Sequence, residues 1–111
     1  MEIIGKKLLE KLKSKNKGNI LLHAAIDKLF DDLKESTWNN KLDVVHHRQD
    51  ADCVYDDFYF FNINIHRAFI LIEFEDDEAT IVWCGSHDEY ESTFKNNKST
   101  IKKWLKQKGY I

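Results

Sequence analysis

The sequence predicts an α+β fold, a sheet with helices segregated to the ends of the chain, and three observations carry that prediction. Residues 4–33 bear two apolar stripes at helical spacing, residues 58–84 hold three β-rich runs, and the chain then returns to helical spacing. In the first stripe Ile4, Leu8 and Leu12 recur at every fourth position among lysines, over residues 4–15, with Gly18 as the stop. Asn19 is placed to cap a second helix, whose apolar face is Leu22, Ile26, Leu29, Phe30 and Leu33. A tight turn makes the two an antiparallel pair. Beyond Trp38, Asn40 can cap a short turn through Leu42, Val44 and Val45, and His46 to Asp52 reads as a loop.

From Cys53 the pattern is β. Phe58–Ile65 is aromatic and β-branched, Ala68–Phe74 is almost continuously apolar, and Thr80–Cys84 is the third run. The run from Ala68 to Ile72 predicts a central strand covered on both faces. Glu75-Asp76-Asp77-Glu78 reads as a hairpin loop between the last two strands. Finally Ile101, Trp104 and Leu105 mark a helix, and Gly109 stands where a helix commonly stops.

A chain of 111 residues makes one domain with one core, residues 1–111. Seven Phe, four Tyr and three Trp suffice to fill it, which excludes a disordered chain. No apolar run approaches the ~20 residues of a membrane span, and the N-terminus lacks the apolar core of a signal peptide. Cys53 and Cys84 are too few and too far apart for a disulfide framework or a zinc motif, so free thiols in a reducing cytoplasm are expected. The net charge of −2 conceals segregation, with +4 in residues 1–17, −12 in residues 18–94 and +6 in residues 95–111. Basic ends can bind a polyanion if they converge, and they are equally the solvated faces of amphipathic helices.

Several residues can carry chemistry. His87 and Tyr90 follow the third strand at a spacing that shares one helical face, which suits proton transfer. The same spacing also fits a cap at Ser86 or Asp88 with Tyr90 packed on the sheet. His46-His47-Arg48 forms a polar cluster, and His66-Arg67 lies in the turn between two strands. Arg67 can hold a phosphate with its planar fork or pair with one of the many acids. Asn62 and Asn64 place polar groups on one sheet face, and Lys95 opens the C-terminal lysine run as a further RNA-contact candidate. Glycine-rich phosphate loops, GxSxG, HExxH and cysteine-rich metal spacings are missing, so no cofactor and no metal is expected. RNA cleavage fits that inventory, because the ribose 2′-hydroxyl is itself the nucleophile and the protein need supply only a base, a cation and an acid.

Asp50-Ala51-Asp52-Cys53-Val54, Phe60-Phe61-Asn62-Ile63, Arg67 and Ser86-His87-Asp88-Glu89-Tyr90-Glu91 together resemble the HigB family, RelE-like toxins of bacterial type II toxin–antitoxin modules. The resemblance covers roughly residues 38–91, and the two leading helices agree in placement. It implies a compact antiparallel sheet with helices packed on one side. It further implies a cytoplasmic mRNA endonuclease, often ribosome-associated, neutralised by a HigA-like helix-turn-helix antitoxin. Arg67 would be the phosphate-stabilising cation, with His87 and Tyr90 as acid/base and orienting groups. This sequence departs from the family pattern in a shorter turn, where Asn64-Ile65-His66 replaces a glycine-containing one, so that His66 shares the role of Arg67 or Arg67 is displaced. Its net acidity and longer lysine-rich C-terminal helix also depart. The acidic middle supports a competing expectation, a non-catalytic member of the fold that binds a basic protein.

Overall fold

The computed structural model describes residues 1–111. Its elements are β1 (Glu2–Ile4), α1 (Lys6–Lys15), α2 (Ile20–Glu35), α3 (Lys41–His47), β2 (Asp52–Tyr55), β3 (Phe58–Ile63), β4 (His66–Glu73), β5 (Glu78–Ser86), α4 (His87–Phe94) and α5 (Lys98–Gln107). One five-stranded sheet has the order β1-β5-β4-β3-β2. The predicted central strand is β4, in the middle of that order.

The helices form where capping and apolar spacing place them. The Asn19 side chain accepts from the Leu22 N–H at 3.1 Å, and Leu22, Ile26, Leu29 and Leu33 make the buried stripe of α2. Asn40 caps α3 in the same way through the Asp43 N–H at 3.1 Å. That helix continues through His47, so the expected loop starting at His46 is displaced to Arg48 and beyond. Each later helix has its own cap, Ser86 for α4 and Asn97 for α5.

Two features of the sheet correct the expectations. Ile4, expected to open the first helix, instead ends a strand, Glu2–Ile4, which runs parallel to β5 in register with Glu78–Thr80, so the sheet is mixed rather than antiparallel. Three residues are too few to show a period, and this pairing covers the start of β5, leaving β1 as the edge strand. Gly5 turns the chain from β1 into α1 at φ 83, and a Cβ there would stand 2.8 Å from the Ile81 carbonyl oxygen.

Secondly, helices cover both faces of the sheet, not one. Successive strand residues point to opposite faces, and in β3 and β4 most of them are apolar. Tyr59, Phe61, Ile63, Ala68, Ile70 and Ile72 pack with Leu9, Leu22, Ile26 and Leu29 under α1 and α2. Phe58, Phe60 and Phe69 pack with Tyr90, Phe94, Ile101 and Leu105 under α4 and α5. The Phe60 and Phe69 rings stack 4.1 Å apart, and Phe94 meets Phe60 edge-on at 5.2 Å. Loss of one such buried ring costs about 3–5 kcal/mol.

The antiparallel strands also sort the turns. Asp56 and Asp57 between β2 and β3, and Glu75, Asp76 and Asp77 between β4 and β5, lie at one end of the sheet. The β3–β4 turn and the junction of β5 with α4 lie at the other. The eight residues of β4 separate the two ends by about 25 Å at ~3.3 Å per residue, several times the ~8 Å over which physiological salt screens exposed charges. Much of the negative charge therefore acts far from His87 and Arg67.

Candidate active site

The β3–β4 hairpin closes on Asn64 and Ile65, with Asn64 in the left-handed region at φ 62, where asparagine is tolerated. The N–H of His87 donates to the Ile65 carbonyl at 3.1 Å, which pins the start of α4 to the hairpin tip. A capping box fixes the helix direction. The Glu89 N–H donates to the Ser86 hydroxyl at 3.1 Å, and the Ser86 N–H donates to Glu89 Oε1 at 2.8 Å. These bonds bring residues 67 and 87 to one place.

Arg67 pairs in register with Asn62 on β3 and Gly85 on β5. Its guanidinium lies over the Tyr90 ring, 4.3 Å from the centroid. It is half-buried, and no carboxylate of this acid-rich chain comes within ion-pair distance of it. Pairing with a nearby acid is thus excluded, and the donors of its fork stay free for an anion. Gly85, its partner on β5, lets the Trp83 ring and the Glu89 carboxylate pack against the strand. A Cβ there would stand 2.8 Å from Trp83 Cζ2 and 3.1 Å from Glu89 Oε1.

Tyr90 is 1% exposed, and its hydroxyl donates to Asn96 Oδ1 at 3.0 Å. Burial pushes its pKa up, with Asp52 and Glu91 adding to the rise and Arg67 opposing it. The phenol therefore stays neutral near pH ~7, well below the ordinary tyrosine value of ~10. His87 is exposed, its ring nearly parallel to that of Tyr90 at 6.2 Å and its Nε2 3.6 Å from Glu91 Oε1. An open cavity of about 330 Å³ is lined by Asn62, Asn64, Ile65, His66, Arg67 and His87.

His66 and Arg67 do not share one role on one face. As strand neighbours they point oppositely, and the His66 side chain turns to the α1 side while Arg67 turns to α4. His66 is 7% exposed with Nδ1 unpartnered. Burial lowers its pKa, against an opposing pull from Glu89. The unfolded chain then binds the proton more readily, so the His66 contribution to stability is full above the ordinary imidazole range near pH ~6.5 and declines as pH falls through it. Denaturant titrations from pH ~7 to pH ~5 are expected to show a steeper loss for the parent than for His66→Leu. Parallel profiles would contradict that assignment.

The cluster at residues 46–48 is committed elsewhere. His46 is exposed on α3. The Trp38 indole N–H donates to His47 Nδ1 at 3.1 Å, and His47 Nε2 faces Asp32 Oδ1 at 3.5 Å. Arg48 donates to Asp32 at 3.0 Å, to Asp50 at 2.8 Å and to the Asn62 carbonyl at 3.1 Å. Asp50 accepts in turn from the Asn62 N–H at 2.8 Å. Burial alone would raise the pKa of Asp32, but the bonds from Lys28 and Arg48 outweigh it and hold the carboxyl below its usual range. This bracket braces the end of β3, whereas the Asn62 side chain is free at the cavity.

Lys95 ends α4 in the left-handed region at φ 55, next to Asn96 at φ 47. It is exposed and adjoins the partner of the Tyr90 hydroxyl. Asn96 and Gly85 escaped the sequence reading. A glycine inside a strand is a signal of close approach, but the Asn96 contact crosses a turn that local pattern does not reveal.

No helix is long and apolar enough to cross a membrane. No curated protein matches the chain. The family model of the HigB toxin, described as the RelE-like toxic component of a toxin–antitoxin system, matches residues 22–93. That span contains the hairpin, Arg67, the capping box, His87 and Tyr90. The chain therefore belongs to the HigB toxin family of toxin–antitoxin systems.

Proposed function

We propose that the protein is an endoribonuclease toxin that cleaves mRNA in the bacterial cytoplasm, on or off the ribosome, and is held in check by a HigA-like helix-turn-helix antitoxin. The observation that carries this reading is the unpaired Arg67 guanidinium, stacked on Tyr90 and lining one open cavity with His87. The 2′-hydroxyl attacks the adjacent phosphorus as His87 takes its proton. Negative charge develops on the phosphorane oxygens, and the Arg67 fork stabilises it. The bond to the 5′-oxygen breaks, that oxygen takes a proton from solvent or the imidazolium, and a cyclic phosphate remains on the upstream fragment. Tyr90 is a positioning residue, because its buried hydroxyl already serves Asn96 and its ring serves Arg67. Lysines of α5 and Lys95 lie on the same side of the sheet as Arg67 and can track the RNA backbone.

Cleavage assays on two variants test these assignments. His87→Ala is expected to lose about 10²–10⁴-fold in rate, the usual worth of a positioned proton-transfer group, while melting like the parent. Tyr90→Phe keeps the ring under Arg67, so it is expected to cleave within a few-fold of the parent and to lose about 1 kcal/mol of stability with its hydrogen bond. Full activity in His87→Ala would remove His87 from the mechanism, and a dead but folded Tyr90→Phe would return the phenol to it.

The acidic end of the sheet favours a second reading, a non-catalytic module for a basic protein. Glu2, Glu78 and Glu73 stand in one row across three strands, and Glu78 is pushed up by desolvation and by its acidic neighbours. Pulldown from host lysate separates the readings, since ribosomes or an antitoxin support the toxin and a single basic partner supports the module.

A further inference from the structure

We propose that the cavity between α1 and the end of β5 is a second RNA subsite, which holds a nucleotide flanking the scissile phosphate with its phosphate on Lys11 and Lys15. The proposal rests on the nuclease reading above and extends its substrate track to the opposite face of the sheet. The cavity measures about 330 Å³ and is lined by residues that include Leu8, Lys11, Leu12, Lys15, His66 and Glu89. A volume of ~300–1,000 Å³ is typical of small-ligand sites.

Its chemistry suits a nucleotide. Leu8, Lys11, Leu12 and Lys15 share one face of α1 by their three- and four-residue spacing. The exposed Leu8 offers apolar surface to a base, and the lysines offer charge to a phosphate. Neither lysine makes an ion pair, whereas Lys13 of the same helix is committed to Asp27 at 2.7 Å. Two cations outweigh the single carboxylate present, Glu89, whose Oε1 already accepts from the Ser86 N–H at 2.8 Å. Asn16 and Ser86 add polar groups to the wall.

His66 sets where this cavity lies relative to the first. It is 93% buried and forms part of the wall of the cavity. The same residue borders both this cavity and the one beside Arg67 and His87, with its side chain on the α1 face. The two cavities thus meet at the hairpin end of the sheet, and an RNA strand leaving Arg67 would round that end to reach the lysines of α1.

The test uses labelled 2′-O-methyl oligonucleotides of increasing length, which bind but cannot react. Affinity is measured against salt for the full-length parent, Lys11→Ala/Lys15→Ala, and Lys7→Ala/Lys17→Ala as a charge-matched control outside the cavity. Both pairs are exposed, so all three proteins are expected to melt alike. Lys11→Ala/Lys15→Ala is expected to bind the longer oligonucleotides several-fold more weakly, to bind a dinucleotide as the parent does, and to lose about 0.7 in salt slope per phosphate contact. Equal affinities for the two double variants would overturn the proposal. So would a loss of antitoxin affinity without loss of RNA affinity, which would make the cavity a partner contact. A parent that binds through Lys11 and Lys15 but never cleaves RNA would end the nuclease reading and leave the subsite. Parental cleavage and binding by Lys11→Ala/Lys15→Ala would do the reverse.

Discussion

Arg67→Ala is expected to slow RNA cleavage by about 10²–10³-fold, the scale on which enzymes lose rate when one preorganised donor to a developing oxyanion is removed. Arg67 is held by the Tyr90 ring at 4.3 Å and has no acid to satisfy its fork. Its charge therefore has no ion-pair partner in the resting protein. Because the stack is its main tie, the variant is expected to melt close to the parent. Arg67→Lys keeps the charge and loses both the planar fork and the stack, so it is expected to recover little activity. Parental cleavage by Arg67→Ala, with the same product ends, would remove the cation from the mechanism.

Arg48→Ala is the variant expected to lose most stability, about 3–5 kcal/mol, because breaking one side of a buried ion pair leaves the other charge uncompensated. The Arg48 and Asp32 side chains are 10% and 8% exposed, and Arg48 bridges Asp32, Asp50 and the Asn62 carbonyl. Asp32 is held below the usual carboxylate range, so its contribution is present above the unfolded value near pH ~3.9 and is lost as pH falls through its folded value. Denaturant unfolding at neutral pH measures the loss. Replacing both charges, Arg48→Met with Asp32→Leu, is expected to restore much of it, since an apolar pair needs no partner. An unchanged midpoint in Arg48→Ala would show that the bracket braces nothing.

The contrast between the two arginines shows where sequence reasoning stops. Both stood beside histidines as candidates, and neither neighbour distinguishes them. What separates them is long-range. Arg48 meets Asp32 sixteen residues earlier, while the register of β4 sets Arg67 beside Asn62 and Gly85, where it forms no ion pair. The helical stripes of α1, α2 and α5, the caps Asn19, Asn40 and Ser86, and the strand at Ala68–Ile72 were legible because their signals are local and periodic. The strand Glu2–Ile4 was not, since its partner lies more than seventy residues away in β5. Helices on both faces were foreshadowed by the two-sided apolar character of β4, yet only the opposed cores around Phe61 and Phe60 make it plain. At the site, the proximity of residues 67, 87 and 90 was legible as motif spacing. The neutral, buried state of Tyr90 and its bond to Asn96 required the fold.

RNA cleavage by Arg67 and His87 with the ribose hydroxyl as nucleophile, as proposed, leaves a signature in the fragment ends. Purified chain, with and without ribosomes, should be incubated with mRNA in the presence of EDTA, and the fragment ends identified. The expected result is fragments with cyclic phosphate ends, formed by the parent and lost in Arg67→Ala. Intact mRNA in both settings, from protein shown to be folded, would contradict the claim.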